Sequence, residues 1–128
     1  MPAFGTRSLR NLEGIDSRLQ DLASEVIKVA DFSVLEGLRT PERQQELFDQ
    51  GASKTLESRH LLGKAFDFAP YPIPEDWDPP RFIMLGGYFL AQARAMSIPL
   101  RWGGDWAGNF KMTGWPDYGH IEIPKGDD

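Results

Sequence analysis

The sequence predicts a small α+β domain in which a short, mostly antiparallel sheet packs with about three helices. Three observations predict it. Apolar residues recur at helical spacing near the N-terminus, two later segments open with proline where a helix begins, and short stretches rich in β-formers alternate with glycine- and proline-rich loops.

Taken in order, Leu9, Leu12, Leu19, Leu22, Val26 and Val29 form an apolar stripe, with charged residues filling most of the gaps, and predict a helix over about 8–30. Gly14 is the weak point near its start. The stretch Asp31 to Leu38 reads as a strand. Thr40 then caps a helix whose first position is Pro41, which carries Leu47 and Phe48 and stops near Gly51. Residues 52–59 read as an exposed loop. Lys64 to Ala69 alternates as a strand, with Phe66 and Phe68 on one face and Ala65, Asp67 and Ala69 on the other. The proline-rich 71–80 is loop. A further helix runs over 79–97 behind Asp78, and Gly86-Gly87 within it permits either close packing or a bend. Pro99 to Trp102 fits a short strand, 103–116 is a glycine- and tryptophan-rich loop, and Gly119 to Ile123 is a final strand. In that strand Ile121 and Ile123 face the core while His120 and Glu122 face away.

A chain of 128 residues, 41% hydrophobic, suits a single folded domain over 1–128. A net charge of −5 speaks against non-specific nucleic-acid binding, which needs basic surface. With no cysteine, the fold does without disulfides, and any metal site must use histidine and carboxylate. The N-terminus has no apolar signal-like segment, and no apolar run approaches the ~20 residues that span a bilayer. The expectation is therefore a chain made in the cytoplasm, without membrane insertion.

There are two histidines, His60 and His120, both set among polar residues and glycine. Catalytic zinc commonly takes three ligands from histidine and carboxylate and keeps a fourth position for water. His60, Asp67 and His120 would make such a set, with a ligand charge of −1 that leaves the metal a good Lewis acid. Each residue also has a plainer reading. A single histidine is more often a surface or satisfied core residue, and Asp67 could cap a turn or pair with an arginine.

Ser58-x-His60-x-x-Gly63-x-Ala65-x-Asp67 resembles the signature of the LAS-type metallopeptidases, in the branch of D-Ala-D-Ala peptidases and phage L-alanyl-D-glutamate endopeptidases. Asp117-Tyr118-Gly119-His120 matches that family's acid three residues before a histidine. Trp102-Gly103-Gly104-Asp105-Trp106 resembles the stretch preceding it, and Gly37-Leu38-Arg39-Thr40 with Arg43-Gln44 and Leu47-Phe48 resembles the arginine-bearing segment. The resemblance covers roughly 32–124. It implies a hedgehog/D-Ala-D-Ala peptidase-like fold and one Zn²⁺ held by His60, Asp67 and His120. Asp117 would then be general base and acid, Arg39 would lie near the scissile carbonyl, and Ser58 would supply a supporting hydrogen bond. The family often has glutamate at the position of Asp117.

Glu122 shares a strand face with His120 and either orients it, helps bind substrate or forms a salt bridge. Asp105 is either an acceptor for a ligand histidine or a loop residue. Trp102, Trp106, Trp115 and Tyr118 offer aromatic surface for a groove, though at least one is expected in the core. The resemblance implies a peptidoglycan hydrolase of the phage endolysin type, cutting between L-alanine and D-glutamate of the stem peptide as a monomer and reaching the wall through a separate membrane pore. Two other readings are a D-Ala-D-Ala carboxypeptidase or dipeptidase, and a non-catalytic zinc-containing module. The intact Asp117 argues against the last.

Overall fold

The computed structural model describes residues 3–75, 77–112 and 115–128. Met1-Pro2, Asp76 in the predicted 71–80 loop and Thr113-Gly114 in the predicted 103–116 loop lie outside the described residues.

In place of one helix over 8–30 there are two, α1 (Thr6–Leu12) and α2 (Ser17–Val26). The break falls at Gly14, whose φ of +77° is left-handed and ends a helix. Asp16 then caps α2, its carboxylate accepting from the Arg18 backbone N–H at 2.8 Å. The same carboxylate takes the Lys64 ammonium at 2.8 Å. The Asp16 N–H donates to the Gly63 carbonyl at 2.8 Å, which ties α2 to the corner that carries His60.

Asp16 makes stability pH-dependent. The Arg18 side chain, opposed by desolvation and helped by Lys64 and the Arg18 N–H, holds its carboxyl well below the ordinary range. A depressed folded pKa stabilises above the unfolded value and loses that stabilisation as pH falls. Asp16→Ala is therefore expected to cost about 1–2 kcal/mol near neutral pH. The gap to the native chain should narrow as pH drops below about 4, where the unfolded carboxyl protonates. Urea melts at several pH values would check this, and a gap constant down to strongly acid pH would contradict it.

The remaining elements are β1 (Phe32–Glu36), α3 (Pro41–Asp49), a 3₁₀ turn (Arg59–Leu62), β2 (Ala65–Pro70), α4 (Pro79–Ala95), β3 (Arg101–Trp102) and β4 (His120–Glu122). The 3₁₀ turn lies where the sequence reads only a loop entering a strand. The strands form one antiparallel sheet in the order β1-β2-β4-β3. β1 pairs Phe32 with Pro70 and Val34 with Phe68, then shifts register between Val34 and Glu36, a bulge that brings Glu36 opposite Asp67. β2 pairs Phe66 with Ile121 and Asp67 with His120.

One face of the sheet is the core. Phe66, Phe68 and Ile121 are fully buried there with Phe89 of α4 and with Leu19 and Leu22 of α2. Phe89 meets the rings of Phe32, Phe66 and Phe68 at centroid distances of 5.0, 5.7 and 4.7 Å. Among the described residues, no helix is long and apolar enough to cross a membrane.

The adjacent glycines of α4 differ in surroundings. Gly86 is buried, and a Cβ there would overlap the Trp102 ring, whereas a Cβ at Gly87 would meet open space. Gly86→Ala is expected to destabilise by about 1–3 kcal/mol, because overpacking exceeds the gain in helix propensity. Gly87→Ala is expected to be neutral or to stabilise by up to ~1 kcal/mol. Thermal melts of both variants give the comparison, and equal effects would refute it.

Candidate metal centre

The cross-strand pair Asp67–His120 forms the base of the site. Side chains alternate along a strand, so the register that buries Phe66 and Ile121 turns Asp67 and His120 together onto the opposite face. His60 arrives from the 3₁₀ turn. Ser58 caps that turn by accepting from the His60 N–H at 3.2 Å. Gly63 closes it at φ +67°, with the Gly14 carbonyl so near that a Cβ would crowd it. The ligand-type atoms of His60, Asp67 and His120 all lie within 4.8 Å of one another.

The hydrogen bonds determine which ring nitrogens face the centre. His60 Nδ1 donates to the Gly37 carbonyl at 2.8 Å, and His120 Nε2 donates to Glu122 Oε1 at 2.8 Å. In a neutral imidazole the other nitrogen then carries a lone pair. His60 Nε2 and His120 Nδ1 point at the same oxygen, Asp67 Oδ1, at 3.1 and 3.0 Å. Two lone pairs aimed at a carboxylate oxygen repel unless positive charge lies between them.

The electrostatics carry the same message. Burial opposes charge on His120, but hydrogen bonds to Asp67 and Glu122 and the charges of Asp67 and Asp117 outweigh it and raise its pKa to about 9. Burial pushes the Asp67 carboxyl up, yet the bonds from His120 and His60 hold it well below the usual range. The pocket therefore favours a cation at its centre. Two imidazoles and one carboxylate suit zinc, and nitrogen and oxygen donors 3.0–3.1 Å apart are close to the ~3.3 Å expected for ligands ~2.0–2.1 Å from one tetrahedral ion.

The model of the family described as phage L-alanyl-D-glutamate peptidase matches residues 2–124. The chain belongs to this family. It is 30% identical over 132 residues to the L-alanyl-D-glutamate peptidase of Escherichia phage T5, covering 94% of this chain and 96% of that relative. It is 32% identical over 111 residues to the L-alanyl-D-glutamate peptidase of Listeria phage A118, covering 82% of this chain and 38% of that longer relative. The crystal structure of the Serratia marcescens L-Ala D-Glu endopeptidase ChiX matches with a TM-score of 0.82 at 31% identity, over 97% of this chain and 91% of that one.

In the peptidase, Asp117 sits beside the cluster. Its N–H donates to the Gly103 carbonyl at 2.9 Å, and its own carbonyl accepts from the His120 N–H at 3.2 Å. The residue as a whole is exposed, but desolvation of its carboxyl, reinforced by the charge of Asp67 and opposed by His120 and His60, raises its pKa. Arg39 is held close to Asp67. It pairs with Glu36, donates to Gln44 Oε1 at 2.7 Å and Ser58 Oγ at 3.4 Å, and places a guanidinium nitrogen 3.8 Å from Asp67 Oδ2. Glu122 is buried between His120 and Arg101, which donates to it at 2.8 Å.

The other predicted residues are distributed differently. Asp105 does not reach a histidine among the described residues. Its carboxylate accepts from the N–H groups of Asn109 and Phe110 at 3.2 and 2.9 Å, and so folds its own loop. Trp102 lies in the core, 4% exposed, with its indole N–H on the Tyr118 carbonyl. Tyr118 is half-buried beside it. Trp106 packs its ring 5.6 Å from that of His120, and Trp115 is exposed. Glu36, Gly37 and above all Gln44 support the site; Gly37 and Gln44 fall within the arginine-bearing motif, but neither motif nor spacing assigns any of the three this role. Gln44 is 1% exposed, and its side-chain amide joins Arg39 to Ser53 and Thr55. The available signal was a glutamine at helical spacing on the inner side of α3.

Proposed function

We propose that this peptidase is a zinc-dependent peptidoglycan hydrolase that cleaves the amide between L-alanine and D-glutamate of the stem peptide, as a phage-type endolysin. The observation that carries this reading is the convergence of His60 Nε2 and His120 Nδ1 on Asp67, each ring fixed from behind by an acceptor. Family membership and the activities for which the relatives are named supply the substrate class.

His60, Asp67 and His120 would hold the ion, with Gly37 and Glu122 fixing the orientation of the rings. When bound, zinc supplies Lewis acidity at the substrate carbonyl and makes water a competent nucleophile at neutral pH. Asp117 takes the proton of the attacking water and passes it to the leaving nitrogen as the C–N bond breaks. A carboxyl raised above its ordinary pKa is suited to both transfers. Arg39 offers N–H donors to the carbonyl oxygen as it gains negative charge. Ser58 braces both Arg39 and the His60 turn. The reading includes action as a monomer and access to the wall through a separate membrane pore.

The test is digestion of purified peptidoglycan with and without a chelator, with zinc added back and the fragments identified by mass spectrometry. New D-glutamyl N-termini that vanish on chelation and return with zinc support the reading. Release of D-alanine alone would replace it with the carboxypeptidase reading, and lysis surviving thorough chelation would remove the metal from it.

A further inference from the structure

A D-glutamyl residue whose nitrogen is acylated by L-alanine continues the peptide through one of its two carboxyl groups. The other remains a free anion a few bonds from the scissile nitrogen. The site that receives it is rich in negative charge, with Asp67, Asp117, Glu36 and Glu122 around the cluster. A cation that is not already neutralised is needed nearby. Arg39 pairs with Glu36, Arg59 with Asp128, and Arg101 with Glu122.

Lys54 is different. Its ammonium sits 3.6 Å from the centroid of the Trp115 ring and, among the described residues, forms no salt bridge with a carboxylate. An ammonium over an aromatic face is held by the ring quadrupole and still has N–H donors to offer.

Both partners connect to the His60–Asp67–His120 cluster through intervening side chains. Lys54 lies between Ser53 and Thr55, which buried Gln44 grips; Gln44 also holds Arg39, and Arg39 reaches Asp67. Trp115 precedes Asp117 by two residues, and its carbonyl accepts from Trp106, whose ring lies against His120. The Lys54–Trp115 contact thus links the stretch held by Gln44 to the residue held by Trp106, and it puts a positive charge at their junction.

Resting on the L-alanyl-D-glutamate reading, we propose that Lys54 is a specificity-determining residue that binds the free carboxylate of the substrate's D-glutamyl residue, with Trp115 positioning it.

The experiment uses two stem peptides, one with that carboxylate free and one with it amidated, and the full-length peptidase as native chain, Lys54→Met and Lys54→Arg. Losing one charge-assisted hydrogen bond is expected to raise KM about ten-fold on the free-carboxylate peptide, with kcat little changed. On the amidated peptide the Lys54→Met and native enzymes should be alike, and Lys54→Arg should recover most of the affinity for the acid. If Lys54→Met raises KM equally on both peptides, or on neither, the proposal is overturned. If the native enzyme cleaves neither peptide, it is the L-alanyl-D-glutamate reading that falls, and this assignment with it.

Discussion

Replacing Asp67 by alanine is expected to lower activity by at least about 10³-fold and to leave the purified protein without stoichiometric zinc. Losing a single group that stabilises the oxyanion costs ~10²–10³, and here activation of the nucleophile would be lost as well. Asp67 is the better candidate ligand to remove. Its side chain is 30% exposed and off the core, while His60 and His120 are almost fully enclosed. Its strand stays paired through the backbone and through the buried Phe66 and Phe68. The measurements are metal content after gel filtration and turnover on peptidoglycan, with circular dichroism to confirm folding. A folded variant that keeps its zinc and its rate would refute the three-ligand centre.

Asp117→Asn should be nearly as damaging through a different parameter. The amide keeps the shape of the side chain but cannot accept the proton of water, so kcat is expected to fall by about 10²–10⁴. Zinc content should be unchanged, because Asp117 lies outside the set of converging donor atoms. KM should move little if the carboxylate acts on the proton rather than on substrate binding. Steady-state kinetics with a parallel metal assay separates this variant from Asp67→Ala. A kcat within a few-fold of the native value would take the role of base away from Asp117.

Much of the site was legible in the linear chain because residue type limits chemistry so strongly. Without cysteine, a catalytic metal has only histidine and carboxylate to use, and the chain holds two histidines. Alternation by itself puts Phe66 and Phe68 on one face and Asp67 on the other. The start of α3 was equally plain, since Thr40 and Pro41 act on their own helix turn. The helix over 8–30 is divided for a reason partly local, the left-handed Gly14, and partly tertiary. The apolar stripe continues through Gly14, but Asp16 finds a better role as the cap of a second helix, tied to Lys64 far along the chain.

The aromatic residues show the other limit. Trp102, Trp106 and Trp115 look alike in a glycine-rich stretch, yet one is core, one lies against a candidate ligand and one is exposed. Trp102 is the core one because Gly86 in α4 lacks a side chain and so makes room for its ring. Asp105 likewise turned inward to its own loop, because the N–H groups of Asn109 and Phe110 lay within reach.

The sequence by itself determined the donors available to this protein and the strand faces on which they stand, because side-chain chemistry and two-residue alternation are local properties. Only the tertiary structure decided that Asp67 and His120, 53 positions apart, share one cross-strand pair, that Gln44 secures Arg39, and that Lys54 meets Trp115. The physical reason is that such distances are set by strand register and by the packing of the Phe66–Phe89 core beneath the sheet, which emerge when the whole chain buries its apolar surface at once.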